Sequence, residues 1–145
     1  ALLVVIVPRH PQRFDEVAHL LEQRNIKFQR RSTELSIAPD TTVILGDSMG
    51  EMFAYYASAD LAFIGGSLLP YGGQNLIEAC AVGTPVLIGP YTFNFSDATR
   101  LAIDAGAAIQ IRDAQTLMRQ LSSLINNREH LAEMQQQGIA FIQRN

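Results

Sequence analysis

The chain carries 145 residues, 48% of them hydrophobic and 17% charged, with a formal net charge of -3. That length suits one domain of roughly 100–200 residues, and the balance of apolar and charged side chains excludes a disordered or fibrous chain. The negative balance argues against general nucleic-acid binding, which needs a surplus of Lys and Arg to displace counterions from phosphates.

Short apolar runs rich in Val and Ile alternate with amphipathic stretches, the pattern of strand–helix–strand units. The first, Ala1 to Val7, is far short of the roughly 18–20 residues that span a bilayer and lacks the basic start of a signal peptide. With no initiating Met it reads as a buried strand, Leu2–Val7, entered at full stride, so residue 1 is not expected to be where the natural protein begins. A helix follows over about 12–23, with Phe14, Val17, Leu20 and Leu21 on one face. Next come a weaker strand near Lys27–Arg31 and a strong one at Thr42–Leu45. Arg24, Lys27, Arg30 and Arg31 read as a solvated complement to the dipole of the preceding helix, against a role in approaching an anionic membrane or substrate.

A helix over about 50–58 leads to a strand at Leu61–Ile64, and a helix over about 75–82 to a strand at Pro85–Ile88. Cys80, the one cysteine, lies among Ala79, Ala81 and Val82 and reads as a packed apolar side chain. A lone cysteine excludes an internal disulfide and a thiolate zinc cluster, and the three histidines are far apart, so no metal is expected. A helix over about 96–105, a strand at Ala108–Ile111, a helix over about 114–126 with Leu117, Leu121, Leu124 and Ile125 on one face, and a last helix from about 128 complete the series. Near-continuous apolar strands need a parallel sheet covered on both faces. The expected fold is therefore α/β, a Rossmann-like doubly wound parallel sheet.

In such a sheet ligands bind beyond the carboxyl ends of the strands, and the loops there carry nearly all the unusual composition. They are Pro8-Arg9-His10-Pro11-Gln12-Arg13-Phe14, Gly46-Asp47-Ser48-Met49-Gly50-Glu51, the stretch from Gly65-Gly66-Ser67 to Tyr71-Gly72-Gly73-Gln74-Asn75, and Gly89-Pro90-Tyr91-Thr92-Phe93-Asn94-Phe95. Four of the ten glycines lie between 65 and 73, where glycine lets backbone approach a ligand closely. Asn75 also reads as a helix N-cap with Glu78 as its capping-box partner. The combination nevertheless points to a phosphorylated ligand. Arg9 offers a fork-shaped cation, with His10 beside it; the helix start at Met49, Gly50 and Glu51 offers N–H groups; Glu78 accepts hydrogen bonds from ribose hydroxyls. Neither G-x-G-x-x-G nor a Walker lysine is present, which favours a nucleotide sugar over a dinucleotide or P-loop chemistry.

On these segments, together with Ala59-Asp60-Leu61-Ala62-Phe63-Ile64, Gly72-Gly73-Gln74-Asn75-Leu76-Ile77-Glu78-Ala79 and Gly83-Thr84-Pro85-Val86-Leu87-Ile88, the sequence resembles the C-terminal, donor-binding domain of the Kdo (3-deoxy-D-manno-octulosonic acid) transferases. The resemblance covers about two-thirds of the chain, in order. It implies the C-terminal half of a GT-B glycosyltransferase that is inverting and independent of metal or other cofactor. The donor would be CMP-Kdo and the acceptor the lipid A precursor of lipopolysaccharide synthesis. The full-length protein would work at the cytoplasmic face of the inner membrane. Residues 1–145 would form one nucleotide-sugar-binding domain, with the acceptor domain and its general base lying outside this chain. Carried over by motif, Pro8, Arg9 and His10 contact the CMP; Met49, Gly50 and Glu51 wrap its phosphate and ribose side; Gly73, Asn75, Leu76, Ile77 and Glu78 complete the pocket. The sequence departs from the commonest family pattern at Gln74, where His is usual, at Leu76, where Pro is usual, and at Tyr91, again in place of His.

Two competing readings remain at this point. Gly46-Asp47-Ser48-Met49-Gly50 satisfies the G-x-S-x-G pattern of a hydrolase nucleophile elbow, although the one histidine after Ser48 is His130, well past the last strand. A nucleotide-sugar epimerase of GT-B type is nearer in fold but fits the Arg-His-Pro and Asn-Phe loops less well.

Overall fold

The computed structural model describes residues 2–144, so Ala1 lies outside the described residues. The chain divides into two compact units, Ala1–Glu51 and Met52–Asn145. In the first, β1 (Val4–Ile6), α1 (Phe14–Gln23), β2 (Phe28–Arg30) and β3 (Val43–Leu45) follow one another. The second holds α2 (Met52–Ser58), β4 (Ala62–Ile64), α3 (Ile77–Ala81), β5 (Val86–Ile88), α4 (Ser96–Asp104), β6 (Ala108–Gln110), α5 (Ala114–Ile125) and α6 (Arg128–Arg144). Each element expected from the sequence is present, and the fold is α/β and Rossmann-like. The strands form two parallel three-stranded sheets, ordered β1-β3-β2 and β4-β5-β6, where the sequence pattern points to a single sheet. Apolar periodicity reports which residues seek burial, not which strands pair.

Register sets where the loops emerge. Ile6 and Arg30 both lie opposite Leu45, so β1, β2 and β3 end level and their following loops share one edge. Ile64 lies opposite Ile88, and Ile88 opposite Gln110, which does the same for the second sheet.

All three residues of β5 are fully buried. Val86 and Ile88 join Ile64, Leu76, Cys80, Ala102 and Phe141 in one cluster, while Leu87 between them joins Ile111, Leu124, Leu131 and Met134 in another. The alternation is the two-residue period of a strand covered on both faces. Helix α6 reaches this core through Leu131, Met134, Gly138 and Phe141, positions on one helical stripe. A Cβ on Gly138 would meet the Cys80 carbonyl oxygen at 3.5 Å, an ordinary van der Waals contact, so α6 packs against α3 here with room for no more than a methyl. Helix α5 starts from a complete capping box: Asp113 accepts the Thr116 N–H at 2.8 Å while the Thr116 hydroxyl accepts the Asp113 N–H at 3.0 Å.

Three expectations need correction. Leu2 to Val5, read as a buried strand, are 40–51% exposed: the strand begins only at Val4 and is one of the two edge strands of its sheet, and an apolar run states only a capacity for burial. The helical stripes are narrower than expected: Leu20 on α1 and Ile125 on α5 are 44% and 39% exposed, while Ala18 and Leu21 carry the buried face of α1. The basic run does not simply complement a helix. Lys27 pairs with Asp40, Arg30 with Asp15 and Asp47, and Arg31 with Glu51.

Candidate ligand-binding edges of the two sheets

At the carboxyl edge of the first sheet, β1 delivers Pro8, Arg9 and His10, and β3 delivers Gly46 to Glu51. The Gly46 N–H donates to the Ile6 carbonyl at 2.7 Å, tying the start of the second loop to the strand that feeds the first. Arg9 is exposed, with no carboxylate in ion-pairing distance among the described residues. His10 is exposed too, and its carbonyl accepts the Arg13 N–H at 3.0 Å, opening a 3-10 turn at Pro11–Arg13. Pro8 is half-buried, and Met49 is 62% exposed. Gly50 has φ +75° with no atom within 4 Å of a Cβ built on it, so glycine there serves a left-handed turn rather than clearance. Glu51 is half-buried.

A third loop on this edge follows β2, and sequence reasoning passed over it. The Ser32 N–H and hydroxyl donate to the two Asp47 carboxylate oxygens at 2.8 and 2.6 Å. Arg30 adds its guanidinium, 3.5 Å from Asp47 and 2.9 Å from Asp15. The Asp47 side chain is 4% exposed. Burial pushes its carboxyl up, but the Ser32 hydrogen bonds, its own backbone N–H and the Arg30 charge outweigh that and hold it below the ordinary carboxylate value. The signal available in the sequence was the position of Arg31-Ser32-Thr33 at the end of a parallel strand.

At the carboxyl edge of the second sheet the loops after β4 and β5 are laced together. Ser67 is fully buried; its hydroxyl donates to the Ile64 carbonyl at 2.6 Å and accepts the Gly89 N–H at 2.9 Å. Gly72 and Gly73 are both left-handed, φ +92° and +76°. The Asn94 side-chain amide donates to the carbonyls of Tyr71 and Gly73 at 3.1 and 3.4 Å. A Cβ on Gly72 would lie 2.5 Å from Asn94, so this crossing requires glycine. Beyond it the Asn75 side-chain Oδ1 accepts the Ile77 N–H at 3.0 Å, and α3 begins at Ile77 with no side-chain cap from Leu76. Asn75 therefore does cap the turn, without a reciprocal bond from Glu78. Leu76 is fully buried in the core, leaving only its backbone to face a ligand; Ile77 is exposed, and Gly73 buried. Gln74, Asn75 and Glu78 are half-buried.

The structure thus collects Pro8, Arg9, His10, Met49, Gly50 and Glu51 on one edge, and Gly73, Asn75, Leu76, Ile77 and Glu78 on the other. Cys80 is buried on α3, and burial pushes its thiol up to about 11, which leaves it a packed side chain rather than a nucleophile. Among the described residues no group of three or more His, Cys, Asp or Glu is placed to hold a metal.

The family model for glycosyl transferases group 1 matches residues 21–141. The chain is 55% identical over 117 residues to a 3-deoxy-D-manno-octulosonic acid transferase of Bordetella pertussis, covering 80% of this chain and 27% of that protein. It is 39% identical over 145 residues to the protein of the same name from Haemophilus influenzae, covering 99% of this chain and 34% of that protein. Among solved structures, the C-terminal CMP-Kdo binding domain of WaaA from Acinetobacter baumannii superposes with a TM-score of 0.92 at 36% identity, over 98% of this chain and 74% of that one. The chain spans about a third or less of the length of these curated relatives.

Proposed function

The chain belongs to the glycosyl transferases group 1 family, and on that footing we propose that it is the donor-binding part of a Kdo transferase, holding CMP-Kdo for transfer to a lipid A precursor. The observation that carries the reading is the likeness, along nearly its whole length, to a solved domain described as binding CMP-Kdo. In this reading the chain forms a nucleotide-sugar-binding domain of a larger GT-B protein acting at the cytoplasmic face of the inner membrane. No helix among the described residues is long and apolar enough to cross a membrane.

The chemistry asks for one thing above all from a donor site. As the bond between the sugar and the phosphate oxygen breaks, negative charge grows on the departing CMP, and a positioned cation lowers that barrier. Arg9 is exposed at the sheet edge and free of a carboxylate among the described residues, as this role requires. Met49, Gly50 and Glu51 supply a turn beside the phosphate and ribose, and Glu78 accepts hydrogen bonds from the ribose hydroxyls. Gly73, Asn75, Leu76 and Ile77 present backbone and an amide to the nucleotide. Deprotonating the acceptor hydroxyl falls to a general base outside this chain, so the chain binds donor without turning it over.

Calorimetric titration with CMP tests the proposal. Saturable heat with CMP, and weaker binding of UDP, is the expected result; no heat and no NMR shift at millimolar CMP refutes it. Preference for UDP would instead favour an epimerase-type site.

A further inference from the structure

The loop after β2 gives the first sheet a cation that the motifs do not assign. We infer that Arg31 is a second anion-binding residue of this edge, held ready by Glu51 and taking the phosphate or carboxylate of the ligand alongside Arg9. The inference rests on the donor-binding reading above and extends it to a residue outside the recognised segments.

The placement is built rather than incidental. Arg30 and Leu45 are register partners, so the residues after each leave the same edge as Arg9. Segment 30–32 is bolted to the root of the Gly46–Glu51 loop by the two Ser32 hydrogen bonds to Asp47. A 3-10 turn at Arg31–Thr33 closes on the Glu34 N–H bond to the Arg31 carbonyl at 3.1 Å, with Glu34 left-handed at φ +55°. That turn fixes the direction in which Arg31 leaves the backbone.

The two neighbouring arginines are then chemically distinct. Arg30 is engaged by two carboxylates, Asp15 and the largely buried Asp47, and its side chain is 34% exposed. Arg31 meets only one, Glu51, through Nη2 at 3.4 Å, and is 45% exposed. A guanidinium has five N–H donors, so Arg31 keeps most of its fork for another anion. An exposed ion pair of this length contributes little by itself, and it occupies only Nη2, so the other donors can meet an anion while the pair to Glu51 stays in place. Glu51 in turn would repel an anionic ligand arriving beside Arg9 unless its charge were covered, and Arg31 covers it. One guanidinium thereby covers the Glu51 charge and still offers N–H donors to the ligand.

The test compares CMP with cytidine, which shares the base and ribose but has no phosphate, by NMR titration, which reads millimolar binding. Wild-type, Arg31→Gln and Arg31→Lys chains are measured, each checked for folding by circular dichroism. Arg31→Gln should weaken CMP binding roughly tenfold or more, as expected for a lost charge-assisted contact, and leave cytidine binding unchanged. Arg31→Lys should recover part of the loss. Unchanged CMP affinity in Arg31→Gln overturns the inference, as does an equal loss for CMP and cytidine, which would mark a purely structural role. A wild-type chain that binds neither overturns the donor-binding reading itself, and this inference with it.

Discussion

Ser67 offers a test of how the second sheet holds its loops. Its hydroxyl joins the last residue of β4 to the residue after β5, donating to the Ile64 carbonyl at 2.6 Å and accepting the Gly89 N–H at 2.9 Å, with the side chain fully buried. Ser67→Ala removes both bonds and leaves a buried donor and a buried acceptor without that partner. An orphaned buried polar group costs about 1–3 kcal/mol, so the pair should cost about 2–6 kcal/mol. For a chain of this size that lowers the thermal midpoint by roughly 6–20 °C. Thr99 on α4 is the internal control: it is 2% exposed, and its hydroxyl has no hydrogen-bond partner among the described residues. Thr99→Val exchanges a desolvated hydroxyl for a methyl of the same shape and should be neutral, or stabilising by about 1 kcal/mol. Urea unfolding followed by far-UV circular dichroism suits a protein without Trp. A cost below about 0.5 kcal/mol for Ser67→Ala, or an equal cost for Thr99→Val, would refute the reasoning.

Two further outcomes follow from ionisable groups. Asp47 has a folded-state pKa below its unfolded value near 3.9 through Ser32 and Arg30, which together overcome the upward push of burial. Its stabilisation is therefore complete above about pH 4 and is lost as pH falls through the folded value. Urea midpoints measured from pH 5 to pH 2 should fall less steeply in Asp47→Asn than in the wild type, and parallel curves would contradict this. Cys80, with its thiol pushed up to about 11 by burial, should be inert to a disulfide reagent at pH 8 in the folded protein and react fully in concentrated urea; rapid labelling of the native chain would mean that α3 opens.

The fold class was legible because two periods suffice for it. Three-residue strands such as Val43–Leu45 and Val86–Ile88 sit inside longer apolar runs, Thr42–Leu45 and Pro85–Ile88, and the runs locate them without giving their ends. Pairing was not legible, since Val4, Phe28 and Val43 come into register across segments with no local signal of it. The same blindness hid the part that the loop after β2 plays on the carboxyl edge of that sheet. Asp47 and Ser32 are 15 residues apart, and nothing near either marks the other as its partner. Read locally, four basic residues after a helix look like a dipole complement; two of them, Arg30 and Arg31, prove to lie at the carboxyl end of β2, on the edge that holds Arg9.

The candidate residues divide along a similar line. Arg9 and Glu51 were identified by charge in strand-end loops, and the structure puts them on such an edge. Leu76 was carried over as part of a motif, and its side chain is fully buried, so what it can offer a ligand is its backbone. The departures at Gln74 and Tyr91 fall in loops whose path is set by other groups. The Tyr91 N–H donates to the Ser67 carbonyl at 3.0 Å, and the Gly73 N–H to the Gly66 carbonyl at 2.9 Å, with Asn94 bridging Tyr71 and Gly73. None of these bonds uses the side chain of residue 74 or 91. Exchanging His for Gln or Tyr there changes what the edge presents, an amide or a phenol in place of an imidazole, while the backbone route stays as the glycines, Ser67 and Asn94 dictate. Any difference that these two positions make is therefore one of side-chain chemistry, on two loops whose backbone path other residues hold.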